Sequence, residues 1–142
     1  MTTQSRKIFI DSSCLYAFVN RGDPNHLKAS KAIEDLASIG YRLYTSPQVV
    51  KDSYDLLSRD VGSTVALEFL QTMLETGIEI LFPQKADLIT SYRILRVNRD
   101  RQISLGEALN ATLMQKRGIM QILTFTYWNK LFGTYTSNLI AV

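Results

Sequence analysis

The stretch Lys7-Ile-Phe-Ile-Asp11-Ser-Ser13 decides the fold prediction, because a short apolar run ends in an acid that two hydroxyl residues follow. A buried parallel strand that carries a carboxylate to the carboxyl edge of a sheet has this pattern, and open α/β folds bind their ligands at that edge. Asp11 is therefore a candidate site residue. The alternative is that Asp11 only caps a helix beginning near Ser12, since aspartate is a preferred N-cap residue.

Composition narrows the class of protein. The 142 residues have the size of a single domain, which we expect to span 1–142. A content of 46% hydrophobic and 20% charged residues is typical of a globular protein and argues against disorder. No apolar run is long enough to cross a bilayer, and the first residues lack the apolar core of a signal peptide. We therefore expect a cytoplasmic protein without a membrane partner.

The chain contains one cysteine, Cys14, and one histidine, His26. These counts exclude an internal disulfide, a cysteine-rich zinc site and a site built on two histidines, so any metal ion would be held by oxygen atoms. Cys14 is predicted to be a small buried hydrophobic residue, and His26 to cap or pack a helix. The formal net charge of +3 is a small surplus that also occurs in proteins without acidic partners.

Apolar periodicity and capping signals predict strands that alternate with helices along the chain. Strands are predicted at residues 7–10, 41–45, 78–82, 120–125 and 138–142. Helices are predicted at residues 15–19, 23–39, 46–57, 63–76, 86–97 and 104–117. This alternation predicts a three-layer α/β/α fold, with a central, mostly parallel sheet whose crossovers are right-handed.

Such a sheet would bring several polar residues to one edge, because every strand-to-helix turn opens there. Asp11 and Thr126, after the first and fourth strands, should lie near one another. Asp52 is expected at the border of the buried stripe of its helix. Glu107 lies in a first helical turn, where it also fits a capping box. Converging acids repel unless a hard divalent cation takes their oxygens, which points to Mg²⁺ or Mn²⁺.

Five segments occur in an order that carries a family resemblance. They are Ile8-Phe-Ile-Asp11-Ser-Ser13, Asp23-Pro-Asn-His26, Ser46-Pro-Gln-Val-Val-Lys-Asp52, Ile103-Ser-Leu-Gly-Glu107-Ala108 and Gly118-Ile-Met-Gln-Ile-Leu-Thr124-Phe-Thr126. Together they resemble the PIN domain, the metal-dependent ribonuclease fold of VapC-type toxins. The resemblance implies an endoribonuclease that hydrolyses RNA phosphodiester bonds, with an antitoxin protein and a homodimer as further expected partners.

The resemblance also implies roles for individual residues. Asp11 matches the strand-ending metal ligand of the family. Asp52 stands where the family usually has glutamate, and Glu107 where it usually has aspartate, so all three acids are expected to be catalytic and to bind metal. Thr126 stands where the family usually has a fourth acid, and a threonine hydroxyl could only hydrogen-bond water near the metal. The alternative function is a weakened PIN module that binds RNA or a protein partner without cleavage.

Basic and aromatic residues give candidate RNA contacts. Arg93 and Arg96 share a helix face and could meet phosphates, while Trp128 could stack on bases. A solvated face is the alternative for the arginines, and core packing for aromatic residues nearby. A phosphoacceptor receiver domain of similar topology is disfavoured, because the first strand lacks paired acids and the third ends on proline.

Overall fold

The computed structural model describes residues 6–126 and the backbone of residues 138–141. The strands are β1 (Lys7–Ile10), β2 (Arg42–Thr45), β3 (Glu79–Ile80), β4 (Gln121–Thr124) and β5 (Asn138–Ala141). The helices are α1 (Ser12–Val19), α2 (His26–Ser38), α3 (Pro47–Asp60), α4 (Ser63–Glu75), α5 (Lys85–Val97) and α6 (Leu105–Lys116). The predicted alternation of strands and helices is confirmed.

The five strands form one parallel sheet in the order β3-β2-β1-β4-β5. Because parallel crossovers are right-handed, α1 to α4 cover one face of the sheet, and α5 and α6 cover the other. The helix contacts agree: α1 packs on α2 and α3, α3 packs on α4, and α5 packs on α6. The predicted three-layer α/β/α architecture is therefore confirmed.

The core is built around the two central strands. Ile8, Phe9 and Ile10 of β1 are fully buried, as are Ile122 and Leu123 of β4. Helices cover both faces of these strands, so their sequences are continuously apolar and do not alternate. Because β1 and β4 are adjacent and parallel, their carboxyl ends lie side by side at the centre of one sheet edge.

Capping residues set several helix ends where the sequence predicted them. The Ser46 hydroxyl accepts a hydrogen bond from the Val49 amide at 3.3 Å and starts α3, with proline in the first helical position. Gly40 and Gly118 follow α2 and α6 with φ angles of 88° and 66°. Residues with a side chain are strained in this left-handed region, so glycine favours the end of each helix.

Several predicted boundaries were wrong, among them the start of α1, which begins at Ser12 and not at residue 15 because Asp11 caps it. Helix α2 begins at His26, because the Asp23 carboxylate accepts from the Asn25 amide at 2.8 Å and forms a separate turn first. Strand β3 contains only two residues, and Phe82 at its predicted end is 71% exposed. Within the described part of the chain, no helix is both long and apolar enough to span a bilayer.

Candidate active site

Asp11 is the centre of a hydrogen-bonded group at the carboxyl edge of the sheet. Its side chain is only 4% exposed. Oδ1 accepts from the Ser13 hydroxyl at 2.7 Å and from the Cys14 amide at 3.1 Å, and Oδ2 accepts from the Thr124 hydroxyl. The bond from Cys14 confirms that Asp11 caps α1. The bond from Thr124 of β4 shows that it does more than cap, because it joins two strands.

Ser13 and Thr124 extend this group along both strand ends. The Phe125 amide donates to the Ser13 hydroxyl at 2.9 Å, and the Thr126 amide donates to the Thr124 hydroxyl at 2.9 Å. The segments after β1 and β4 are therefore fastened to one another around Asp11. The sequence analysis assigned no role to Ser13 or Thr124. Hydroxyl residues at the ends of two predicted strands were the signal that could have identified them.

Burial dominates the electrostatics of Asp11. Removal from water raises the pKa of its carboxyl, although hydrogen bonds from Thr124, Ser13 and Cys14 oppose that rise. The neighbouring Cys14 thiol is buried as well, and burial with the nearby Asp11 charge raises its pKa to about 12. Cys14 is therefore an unreactive thiol, as predicted. A positive ion beside Asp11 would favour the ionised carboxylate that burial disfavours.

The other two predicted acids have different surroundings. Asp52 on α3 is exposed, whereas it was predicted at the border of the buried stripe of its helix. Glu107 is partly buried and forms the predicted capping box, in which its Oε1 accepts from the Ser104 amide at 3.0 Å. Its carboxylate thus stabilises the start of α6.

The described residues contain no group of three acidic, histidine or cysteine side chains placed to hold a metal ion. Asp11, Asp52 and Glu107 therefore do not form a ready-made cluster of three carboxylates, and their roles as metal ligands stay predictions. The donor set nevertheless fits a hard cation. Asp11 supplies a carboxylate whose two oxygens are held in one orientation by hydrogen bonds from Ser13, Cys14 and Thr124. Mg²⁺ commonly uses one or two carboxylates and completes its shell with water.

The remaining predicted site residues lie around this centre or outside the described residues. Thr126 is exposed, and its backbone is bound to the Asp11 group through Thr124. Arg93 and Arg96 are both exposed on α5. Trp128 falls outside the described residues. His26 has a packing role, as predicted, because its Nδ1 donates to the Ala17 carbonyl at 2.9 Å.

A second feature is an apolar groove between the helices that cover one face of the sheet. It consists of two adjoining cavities of about 620 and 630 Å³. Phe18 and Val19 of α1, together with Phe69 and Thr72 of α4, line both cavities. Asp11 lines neither of them, so the groove is separate from the polar centre.

Comparisons with known proteins agree with this geometry. Ribonuclease VapC26 of Mycobacterium tuberculosis is 27% identical over 117 residues, which cover 82% of this chain and 84% of the relative. The crystal structure of M. tuberculosis VapC20, a sarcin-ricin loop cleaving toxin, matches with a TM-score of 0.73 and 24% identity over 84% of this chain and 88% of VapC20.

Two further structures share the fold. VapBC2 from Rickettsia felis, bound to a DNA fragment from its promoter, gives a TM-score of 0.71 at 14% identity over 96% of this chain and 98% of that one. FitAcB from Neisseria gonorrhoeae gives a TM-score of 0.58 at 12% identity over 84% of this chain and 87% of that one. Residues 8–125 also match the PIN domain family, which covers most of the sequence. The chain belongs to the PIN domain family.

Proposed function

We propose that the protein is a divalent-cation-dependent ribonuclease that hydrolyses RNA phosphodiester bonds and acts as the toxin of a toxin–antitoxin pair. The observation that carries the proposal is the buried Asp11 carboxylate, which hydrogen bonds from Ser13, Cys14 and Thr124 hold in place at the carboxyl edge of the sheet. Support comes from a relative named as a ribonuclease and from a structural neighbour named as a sarcin-ricin loop cleaving toxin.

Each residue of the candidate site would have its own role in the reaction. Asp11 holds Mg²⁺ or Mn²⁺ directly, and its hydrogen bonds to both strand ends keep its position constant. Asp52 and Glu107 complete the ligand set or orient water beside it, and Thr126 donates at most a hydrogen bond to water. A bound divalent cation lowers the pKa of water and stabilises charge on the phosphate. Arg93 and Arg96 on α5 supply positive charge for the RNA backbone.

The second candidate is a PIN module that binds RNA or a protein without cleavage. Thr126 is the observation that favours it, because a neutral hydroxyl replaces the fourth acid and leaves the site one negative charge short. A site with fewer anionic oxygens binds a second cation more weakly and stabilises the transition state less. The same deficit implies that the wild-type enzyme is a slow nuclease.

Cleavage of single-stranded RNA across a range of Mn²⁺ and Mg²⁺ concentrations tests both candidates. Asp11→Asn should lower the rate by about 100-fold or more, because it removes the charge that holds the cation. Thr126→Asp should raise the Mn²⁺-dependent rate by about tenfold, because it restores the missing acid. A folded Thr126→Asp protein no more active than Asp11→Asn would favour the non-cutting module.

An antitoxin is the partner that we propose for the apolar groove. The structural neighbours include the VapBC2 and FitAcB complexes, which share this fold. An apolar antitoxin segment laid along α1 and α4 would cover the partly exposed Phe18 and Val19, which line both cavities. A homodimer stays a prediction.

Co-expression with the product of the adjacent reading frame tests this surface. Thr72→Arg should reduce recovery of the complex by about tenfold, because Thr72 is exposed, lines both cavities and would fill the groove with a charged chain. Leu74→Arg is the matched control, since Leu74 is on the same helix and 72% exposed but lines neither cavity. Equal recovery with both variants would place the partner elsewhere.

A further inference from the structure

The side-chain amide of Asn110 is held in one orientation. Asn110 lies on α6 and is 6% exposed. Its Oδ1 accepts two hydrogen bonds of 2.7 Å, from the Ser46 hydroxyl and from Nε2 of Gln48. The Ser46 oxygen already accepts from the Val49 amide, so its single hydrogen is directed at Asn110. With two donors on its oxygen, the amide has little freedom to rotate.

The other end of this amide has no bonding partner within residues 6–126. Asn110 Nδ2 carries two hydrogens, and neither is donated to a described residue. It is also not sealed from water, because the fully buried side-chain atoms without a partner in that range are Ser53 Oγ and Gln121 Oε1. Water can accept the hydrogens of a donor with this access, and a ligand oxygen that displaces the water can accept them too. Nδ2 is therefore a fixed donor that is open to a ligand.

Asn110 is linked to the strand end next to Asp11. Ser46 directly follows β2 as Asp11 directly follows β1, and the Thr45 hydroxyl donates to the Ile10 carbonyl at 2.9 Å, joining the two strand ends. Asn110 also lies three residues after Glu107 on α6, and residues at that spacing share a helix face. Asn110 thus connects the strand end beside Asp11 to the helix face of Glu107.

We propose that Asn110 is a substrate-binding residue whose Nδ2 donates to a non-bridging phosphate oxygen of RNA. The inference rests on the proposed ribonuclease function and adds a residue to it. A cation is not the ligand, because Oδ1 is occupied by two donors and Nδ2 presents hydrogens. An anionic oxygen satisfies a neutral donor best, and RNA bound near Asp11 carries such oxygens at every linkage.

The test is the binding of a fluorescent single-stranded oligoribonucleotide, read by stopped-flow anisotropy before hydrolysis accumulates, once in EDTA and once in Mg²⁺. Asn110→Ala should weaken binding about tenfold, as expected for the loss of a hydrogen bond to a charged group. Asn110→Asp should weaken binding in EDTA still more, because it keeps the acceptor for Ser46 and Gln48 but replaces the donor by a repelling oxygen.

Thr112→Val is the matched control. Thr112 is equally buried on α6, but its hydroxyl donates to the Ala108 carbonyl and contacts Ser91 of α5, away from Asn110. This variant should bind the oligoribonucleotide within about twofold of wild type. If both folded Asn110 variants bind the oligoribonucleotide as tightly as wild type, the proposed role of Asn110 is overturned, whereas the nuclease proposal stands. No binding by wild type in either buffer would overturn the nuclease proposal, and this inference with it.

Discussion

The two halves of the candidate active site are built differently. The strand half consists of Asp11, Ser13 and Thr124, which bind one another where β1 and β4 end. The helix half consists of Asp52, which is exposed on α3, and Glu107, which binds the start of its own helix. The strand half is therefore held by hydrogen bonds between distant segments, whereas the capping bond of Glu107 joins neighbouring residues. Substitutions should separate the two halves by their effect on stability.

Thr124→Val should have the largest effect. It keeps the shape of the side chain but removes the donor to Asp11 and the acceptor for the Thr126 amide, leaving a buried carboxylate oxygen unpaired. We expect the free energy of unfolding to fall by about 2 kcal/mol. Urea denaturation measures this free energy. The control is Thr112→Val, which loses a buried hydroxyl bonded mainly within the helices and should lower the free energy of unfolding by about half as much. Equal losses would mean that the hydrogen bonds of Thr124 stabilise the protein no more than those of Thr112.

Asp11→Asn should change stability in the opposite direction. Burial raises the pKa of Asp11, so the folded state prefers the neutral carboxyl, and wild type loses stability as the pH rises from the unfolded-state pKa towards the folded one. The asparagine side chain can still accept from Ser13 and Cys14, and asparagine is a good N-cap residue.

In EDTA at neutral pH, Asp11→Asn should therefore raise the free energy of unfolding. The gain should shrink as the pH falls from the folded-state pKa of Asp11 towards its unfolded-state pKa of about 4, and should vanish below it, where both side chains are neutral. Denaturation curves at several pH values provide the measurement. A destabilised variant at neutral pH would show that the three hydrogen bonds outweigh the cost of burial.

Glu107 offers a matched pair of substitutions that separates capping from charge. Glu107→Gln keeps an acceptor for the Ser104 amide and should leave the free energy of unfolding within about 0.5 kcal/mol of wild type. Glu107→Ala removes the acceptor and should cost about 1 kcal/mol. If Glu107 also serves the reaction, both variants should lose RNA cleavage to a similar extent. Full activity in the glutamine variant would limit Glu107 to capping.

Asp52→Asn should have the smallest effect on folding. Asp52 is exposed, and exposed substitutions away from special features usually change stability by less than about 0.5 kcal/mol. Cleavage of single-stranded RNA should nevertheless fall by about tenfold if Asp52 helps to hold the cation. Asp55→Asn, on the same exposed helix face, is the control and should leave cleavage unchanged. Equal activity of the two variants would remove Asp52 from the site.

Much of the fold could be predicted because its signals are local. Ser46-Pro47 starts α3 and the Ser104 capping box starts α6, and each needs only neighbouring residues to form. The boundaries that failed depended on competition between local structures. Asp23 had two ways to use its carboxylate, and it bonds the Asn25 amide in a turn before α2.

The site was only partly predictable for a related reason. Asp11 was identified because a strand-ending acid is visible in one segment. Its partner Thr124 is 113 residues away, and nothing in either segment alone shows that their side chains meet. The exposure of Asp52 also escaped prediction, because helical periodicity marks the border of a buried stripe but does not show how far a residue at that border is covered.

The amino-acid sequence by itself determined the alternation of strands and helices, the ends of most helices, the oxygen-only set of possible metal ligands and the likeness to the PIN domain. These depend on periodicity, capping and residue counts, which act over a few residues or over the whole composition. Only the tertiary structure decided which polar groups meet: the hydroxyls that orient Asp11, and the Ser46 and Gln48 donors that orient Asn110. Hydrogen bonds act over about 3 Å, so contacts between distant segments exist only once packing has brought the strand ends together.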